Sequence, residues 1–244
     1  IGSGLVGSEM CIRDRYLYDV KNEYRGVHQQ IDSAGVEDGH FVFTLEDKAP
    51  ALYFVGDSPY HGGYFFLDGQ EIVLKPETVT EENIVWTVTG SPLDQVYREF
   101  NQRVYAETFG RVKDSLNALF CKAREREDRA EMMRIKNESE PYYDEGYKKE
   151  RALVNEYIQK NRENPFGMYL YYFRVFQHRD FQTVEDITSE KKYVNSFGAK
   201  SSPYIPRIME RLGQYEKCAI GHEAPEIVGR DTSVSYTHLR AHET

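Results

Sequence analysis

The stretch VTGSPLDQVYREF, residues 88–100, contains the point at which the chain changes its period. Before it, Ile84, Trp86 and Val88 alternate with Val85, Thr87 and Thr89, the pattern of a strand with one face on a core. After it, apolar residues recur in steps of three and four at Leu93, Val96, Tyr97, Phe100 and Val104, which is a helix with one apolar stripe. The junction carries its own start signal. Ser91 is suited to cap a helix N-terminus, Pro92 fits the first turn, and Asp94 sets a negative charge where the helix dipole favours one. The expected fold class is therefore α+β: an N-terminal antiparallel β sandwich-like domain at 16–90, followed by a helical layer at 91–217.

Working back from the junction, short β-branched and aromatic runs read as strands at 16–20, 27–36, 40–46, 51–56, 64–68, 71–76 and 84–90. Asp38-Gly39 is a hairpin signal because both residues tolerate positive φ, and Asp68-Gly69 repeats it. Working forward, the first helix is expected to carry its stripe on to Leu116, Leu119 and Phe120. The charged stretch 123–140 reads as a solvated helix face held by (i, i+4) ion pairs. A second helix is expected at 142–160, a third opens at Asn164-Pro165 with the apolar run 168–176, a fourth spans 186–197, and a last opens at Ser202-Pro203. Gly221, Pro225 and Gly229 make 218–233 an extended segment, the expected entry to a further domain.

The two ends read differently. If LVGSEMCIRD (5–14) is written in one choice of codons, the complementary strand encodes VSYTHLRAHE (234–243). Arg15 extends the match to Ser233, and Gly4 extends it to Thr244. One DNA segment read in both directions, resembling a transposase adapter, accounts for both ends. Residues 1–15 and 234–244 are accordingly expected to be adapter-derived. On this reading Met10, Cys11, His238 and His242 carry no chemistry, and the natural chain runs past both ends.

Removing these ends takes out Arg13, Arg15 and Arg240 against Glu9, Asp14 and Glu243, so the net charge of -9 belongs to the interior. An acidic surface without a Lys/Arg cluster argues against nucleic acid or anionic membrane as partner, and no apolar run is long enough to span a bilayer. Cys121 and Cys218 lack a C-x-x-C or zinc spacing and read as small buried apolar groups. His28, His40, His61, His178 and His222 are scattered singly. His61-Gly62-Gly63 resembles the start of an oxyanion loop but has no G-x-S-x-G nucleophile beside it. The pairs Glu81/Glu82 and Asp144/Glu145 read as surface charge. No catalytic, cofactor-binding or metal-ligating residue is assigned, and no cofactor is expected.

Two segments together resemble a known arrangement. IDSAGVEDGHFVFTLEDKAPALYF, YFFLDGQEIVL and VTGSPLDQVYREF resemble the β domain of unassigned function found at the N-terminus of many envelope thioredoxin-like proteins. AIGHEAPEIVGRDTS (219–233) is similar to the entry of the thioredoxin-like fold in the alkyl hydroperoxide reductase and thiol:disulfide interchange families, although Ile227 stands where an aromatic is usual. The resemblance implies a non-catalytic N-terminal portion of an envelope thiol-disulfide oxidoreductase, on the periplasmic side, with the start of its redox domain at 218–233. That portion would position or dimerise its own thioredoxin-like domain, or select a protein client. The family's C-x-x-C would lie beyond Asp231, so no catalytic residue transfers onto this chain. The alternative is a stand-alone binding module in which Tyr53, Phe54, Tyr60, Tyr64, Phe65 and Phe66 form an aromatic platform for peptide or sugar; as strand residues, these rings read first as sheet core.

Overall fold

The computed structural model describes residues 2–4, 14–22, 26–46, 49–69, 71–81, 83–221, 227–230 and 236–239. Strands β1 (Gly2–Gly4), β2 (Arg15–Asn22), β3 (Val27–Ala34), β4 (His40–Val42), β5 (Ala51–Ser58), β6 (His61–Leu67), β7 (Val73–Val79) and β8 (Ile84–Thr89) precede the helices. They form two four-stranded sheets, ordered β3-β2-β5-β6 and β4-β1-β7-β8. The pairs β2/β3, β5/β6 and β7/β8 are antiparallel hairpins.

Asp38 (φ 50) and Gly39 (φ 76) make the tight turn their residue types favour, closed by two backbone bonds of 2.9 Å between Glu37 and His40. The strands on either side nevertheless do not pair: β3 lies in one sheet and β4 in the other. Asp68-Gly69 likewise stands between β6 and β7, which belong to different sheets. The Asp38-Gly39 turn and the Asp68-Gly69 segment, which takes no positive φ, thus each lie in a crossover between the sheets, and the third expected strand stops at Val42 instead of running to residue 46.

Alternation places the core as the pattern demands. Phe41 and Phe43 point inward from the first crossover, and Ile84 and Trp86 are buried while Val85 and Thr87 are exposed. β5 departs from alternation: Ala51 through Gly56 are all buried. Its sheet is covered on both faces, by the second sheet and by helices. Phe66 of the neighbouring β6 meets the rings of Phe166 and Tyr169 at 6.0 and 5.5 Å, and one hydrophobic cluster runs without a break from Leu17 to Ala219.

The junction at Ser91 forms as read. Ser91 Oγ accepts from Asp94 N at 3.1 Å, and α1 (Pro92–Thr108) begins at the proline. The cap is also fastened to the sheet, because Asp94 Oδ1 accepts from Phe66 N and Asp68 Oδ2 accepts from Leu93 N, each at 2.8 Å. The single long helix expected beyond this point is two: the chain turns at Gly110 (φ +48) into α2 (Gly110–Glu125). A second turn at Glu127 (φ 55) leads to Asp128, which caps α3 (Arg129–Lys160) by accepting from Glu131 N at 3.0 Å. α3 runs straight through Pro141. Residues 129–140 of the charged stretch and the helix expected from 142 are therefore one element, while 123–125 end α2. A proline inside a helix costs about 3 kcal/mol, and packing beside it offsets this: Tyr142 Oη donates to the Phe109 carbonyl, and Phe109 stacks its ring edge-on against Tyr147.

Asn164 caps α4 (Pro165–Leu170), which continues through a π-helical turn, Tyr171–Val175, and a 3-10 turn, Phe176–His178. Thr183 caps α5 (Val184–Asn195), and α6 (Tyr204–Glu216) follows the Ser202-Pro203 signal. α6 is bound to the first sheet by polar contacts inside the core. Tyr204 Oη accepts from Leu52 N at 2.9 Å, and Arg207 grips both Asp19 oxygens at 2.8 and 2.6 Å while bonding Val20 O. Past α6 the chain pairs Ile220 with Thr183 in a parallel bridge. Pro225 and the other residues at 222–226 lie outside the described residues; β9 (Ile227–Arg230) and β10 (Tyr236–Leu239) then pair antiparallel. β1 and β10 come from the two end segments, and Arg15, buried, opens β2. Strand pairing uses backbone groups and tolerates many sequences.

Candidate binding site on the β domain

Sequence alone placed six rings on a candidate platform, and the fold separates them. Tyr53, Phe54, Phe65 and Phe66 are buried core; only Tyr64, half-buried, and Tyr60, 86 % exposed, reach the surface. These two stand at a groove of about 470 Å³ where the β5/β6 turn meets β8 and α1. Pro59, His28, Asn83, Val85, Tyr97 and Arg98 complete its accessible wall, with Trp86 behind.

Close approach of backbones builds the floor. A Cβ on Gly63 would stand 2.0 Å from Ile84 O and 2.7 Å from Trp86 Cδ1, so only glycine lets β6 pass this close to β8. Trp86 Nε1 donates to Val55 O at 3.3 Å and ties the second sheet to the first. His61-Gly62-Gly63 thus opens a strand, not an oxyanion loop; His61 holds Asp57 at 2.8 Å and Thr80 O at 2.9 Å.

His28 lies flat on Phe54, ring centres 4.3 Å apart. Its Nδ1 is 3.0 Å from Pro59 O and its Nε2 is 3.1 Å from Tyr64 Oη. A carbonyl can only accept, so Nδ1 carries the proton and Nε2 accepts from the tyrosine. Burial, opposed by the Pro59 carbonyl, lowers the pKa below the usual histidine value and favours this neutral tautomer. His28 is a structural brace of the groove and has no free nitrogen for a metal.

At the other end, Arg98 Nε donates to Asp94 Oδ2. Asp94 is almost fully buried, and that burial raises its pKa against the pull of Arg98 and of the Phe66 amide. Arg98 Nη2 is buried and meets no acceptor among the described residues. The local sequence gave no sign of Arg98, Tyr97 or Asn83 as site residues, since each joins the groove through long-range packing.

A larger cavity, about 550 Å³, lies between α3 and the π-helical turn, lined by Tyr147, Arg151, Arg174, His178 and Arg179 among others. Arg174 faces Glu150 at 3.6 Å and Arg179 pairs with the buried Glu190, so two of its arginines are already compensated. Neither Cys121 nor Cys218 lines either of these two cavities. Both are free, Cys121 half-buried and Cys218 exposed in the turn after α6, where the sequence suggested two buried groups. Asp144, Glu145 and Glu81 are surface charge, and no helix among the described residues is long and apolar enough to cross a membrane.

No curated protein and no solved structure matches this chain. Residues 12–97, which include every lining residue of the groove except Arg98, match the model of a family described as a domain of unknown function, DUF4369.

Proposed function

We propose that this chain is the non-catalytic N-terminal portion of an envelope thiol-disulfide oxidoreductase, acting on the periplasmic side as a rigid platform that positions a downstream thioredoxin-like domain. The matched family is commonly found at the N-terminus of thioredoxin-like envelope proteins. The observation that carries the reading is how the chain leaves α6. Ile220 N donates to Gln182 O at 2.8 Å and Val184 N donates to Ile220 O at 3.2 Å, which clamps the segment beginning at Ala219 to the N-terminus of α5. A flexible linker would let the next domain wander over distances that grow with linker length; a clamped exit holds its direction. α6 is itself bonded to the first sheet through Tyr204 and Arg207, so polar contacts connect the sheet to the exit.

The test begins with the uninterrupted gene read beyond Asp231. A following C-x-x-C in a thioredoxin-like domain is expected, and continuation without paired cysteines would refute the proposal. In the intact protein, a Gly-Ser insertion after Ile220 should slow reduction of a folded disulfide client and leave the reduction potential unchanged. An insertion without effect on the client would show that the clamp does not position anything.

A further inference from the structure

The cavity between α3 and the π-helical turn carries a charge arrangement that its own residues do not close. Arg179 is fixed from behind. Its Nη1 donates to Glu190, which also accepts from Tyr171 Oη, and its guanidinium lies 4.9 Å from the centre of the Phe181 ring. Glu190 and Tyr171 are both buried, so a carboxylate and a hydroxyl taken out of water serve to orient one arginine. Its side chain is nevertheless 46 % exposed, and its Nε and Nη2 meet no acceptor among the described residues. Arg174 is balanced by Glu150. Arg151, on the α3 wall, is exposed and makes no hydrogen bond or ion pair with another described residue. Leaving His178 aside, three lining arginines thus face two carboxylates, Glu150 and Glu190, in a chain whose net charge is -9. The π-helical turn that brings Arg174 and Val175 to this wall is a rare backbone form, found mostly at functional sites.

Beside these cations stand Val154, Val175 and the half-exposed ring of Tyr147, around a volume of about 550 Å³ that suits a small ligand. One positive charge in excess next to apolar side chains calls for one negative charge on an apolar body. A carboxylate fits the guanidinium fork, where it accepts two parallel N–H bonds. A cation is repelled here, and a neutral sugar gains nothing from the excess charge. A phosphate dianion exceeds that charge and gains nothing from the valines. We propose that this cavity binds a carboxylate borne on an apolar body, held between Arg151 and the Nε and Nη2 of Arg179, with the apolar part on Tyr147, Val154 and Val175. The C-terminus of a peptide ending in an apolar residue and a free aliphatic acid share this chemistry. Such binding goes beyond the platform role and does not depend on it.

The full chain is titrated by calorimetry with octanoate and with an acetylated Ala-Ala-Leu peptide ending in a free carboxylate. The matching uncharged compounds, 1-octanol and the peptide's C-terminal amide, are titrated beside them, as is inorganic phosphate. Saturable binding of octanoate, of the peptide acid or of both is expected, and the tighter of the two names the source of the carboxylate. Arg151→Gln, at an exposed position without a partner among the described residues, should weaken binding about tenfold or more with an unchanged melting temperature. Arg179→Lys, which keeps the charge facing Glu190 and loses the fork, should weaken it as well. The proposal is overturned if neither carboxylate saturates, if the alcohol or the amide binds as tightly as its acid, if phosphate binds in their place, or if both variants bind like the parent chain.

Discussion

Replacing Tyr204 by Phe tests whether sheet and helices are one folding unit. The Tyr204 ring is fully buried in α6, and its hydroxyl is the acceptor for Leu52 N at the start of β5, 152 positions away in sequence. The substitution leaves the ring packing against Tyr172 and Phe173 in place and strands the Leu52 amide in a core that water does not reach. Such an orphan costs about 1–3 kcal/mol. With a urea m-value of about 2 kcal/mol/M, the midpoint should fall by about 0.5–1.5 M. Trp86 fluorescence follows the sandwich, and far-UV circular dichroism follows the helices. Both transitions should coincide in the parent chain and shift together in Tyr204→Phe, with the slope unchanged. Two separated transitions, or a shift seen by circular dichroism alone, would refute the single core. A midpoint unmoved by the substitution would refute the role of the Leu52 bond.

Three further outcomes follow from the same geometry. Ser91→Ala removes the cap on α1 and its bonds to the end of β6, and should lower stability by about 0.5–2 kcal/mol, read from denaturation midpoints. Gly63→Ala drives a methyl into Ile84 O and the Trp86 ring; it should cost about 1–3 kcal/mol and shift Trp86 emission to the red. Tyr53 is almost buried, and burial, with Asp19 nearby, pushes its pKa from 10.0 up to about 12. The unfolded tyrosine therefore ionises first, stability is lost as pH rises from about 10 to 12, and the loss amounts to roughly 2–3 kcal/mol. Tyr53→Phe should flatten that part of the stability curve, and an equally steep alkaline loss in the variant would contradict the assignment.

The elements themselves were largely legible, because their signals are local. Ser91-Pro92 and Asn164-Pro165 both start helices through a side chain and a ring that act within one turn. The errors fall where a local signal met a distant contact. Pro141 reads as a stop, yet α3 continues because Phe109, Tyr142 and Tyr147 pack around it. Gly110 reads as one more residue of a striped helix, and only its positive φ shows that the stripe is broken there.

The groove was less legible, and the two Asp-Gly pairs, of which only Asp38-Gly39 makes the tight turn, show why. Such a turn fixes the conformation of two residues and says nothing about which strands lie beside each other ten residues on. Had β6 and β7 paired across Asp68-Gly69 as a hairpin, β8 and α1 would have been carried away from the β5/β6 turn. Because the chain crosses to the other sheet instead, Trp86, Tyr97 and Arg98 meet His28, Tyr60 and Tyr64. The same crossover decides which rings are core: β5 is covered on both faces, so Tyr53 and Phe54 are buried, whereas Tyr60 sits at the tip of the turn, beyond the reach of either cover. Whether an aromatic residue in this chain packs or binds is therefore set by sheet connectivity rather than by its neighbours in sequence.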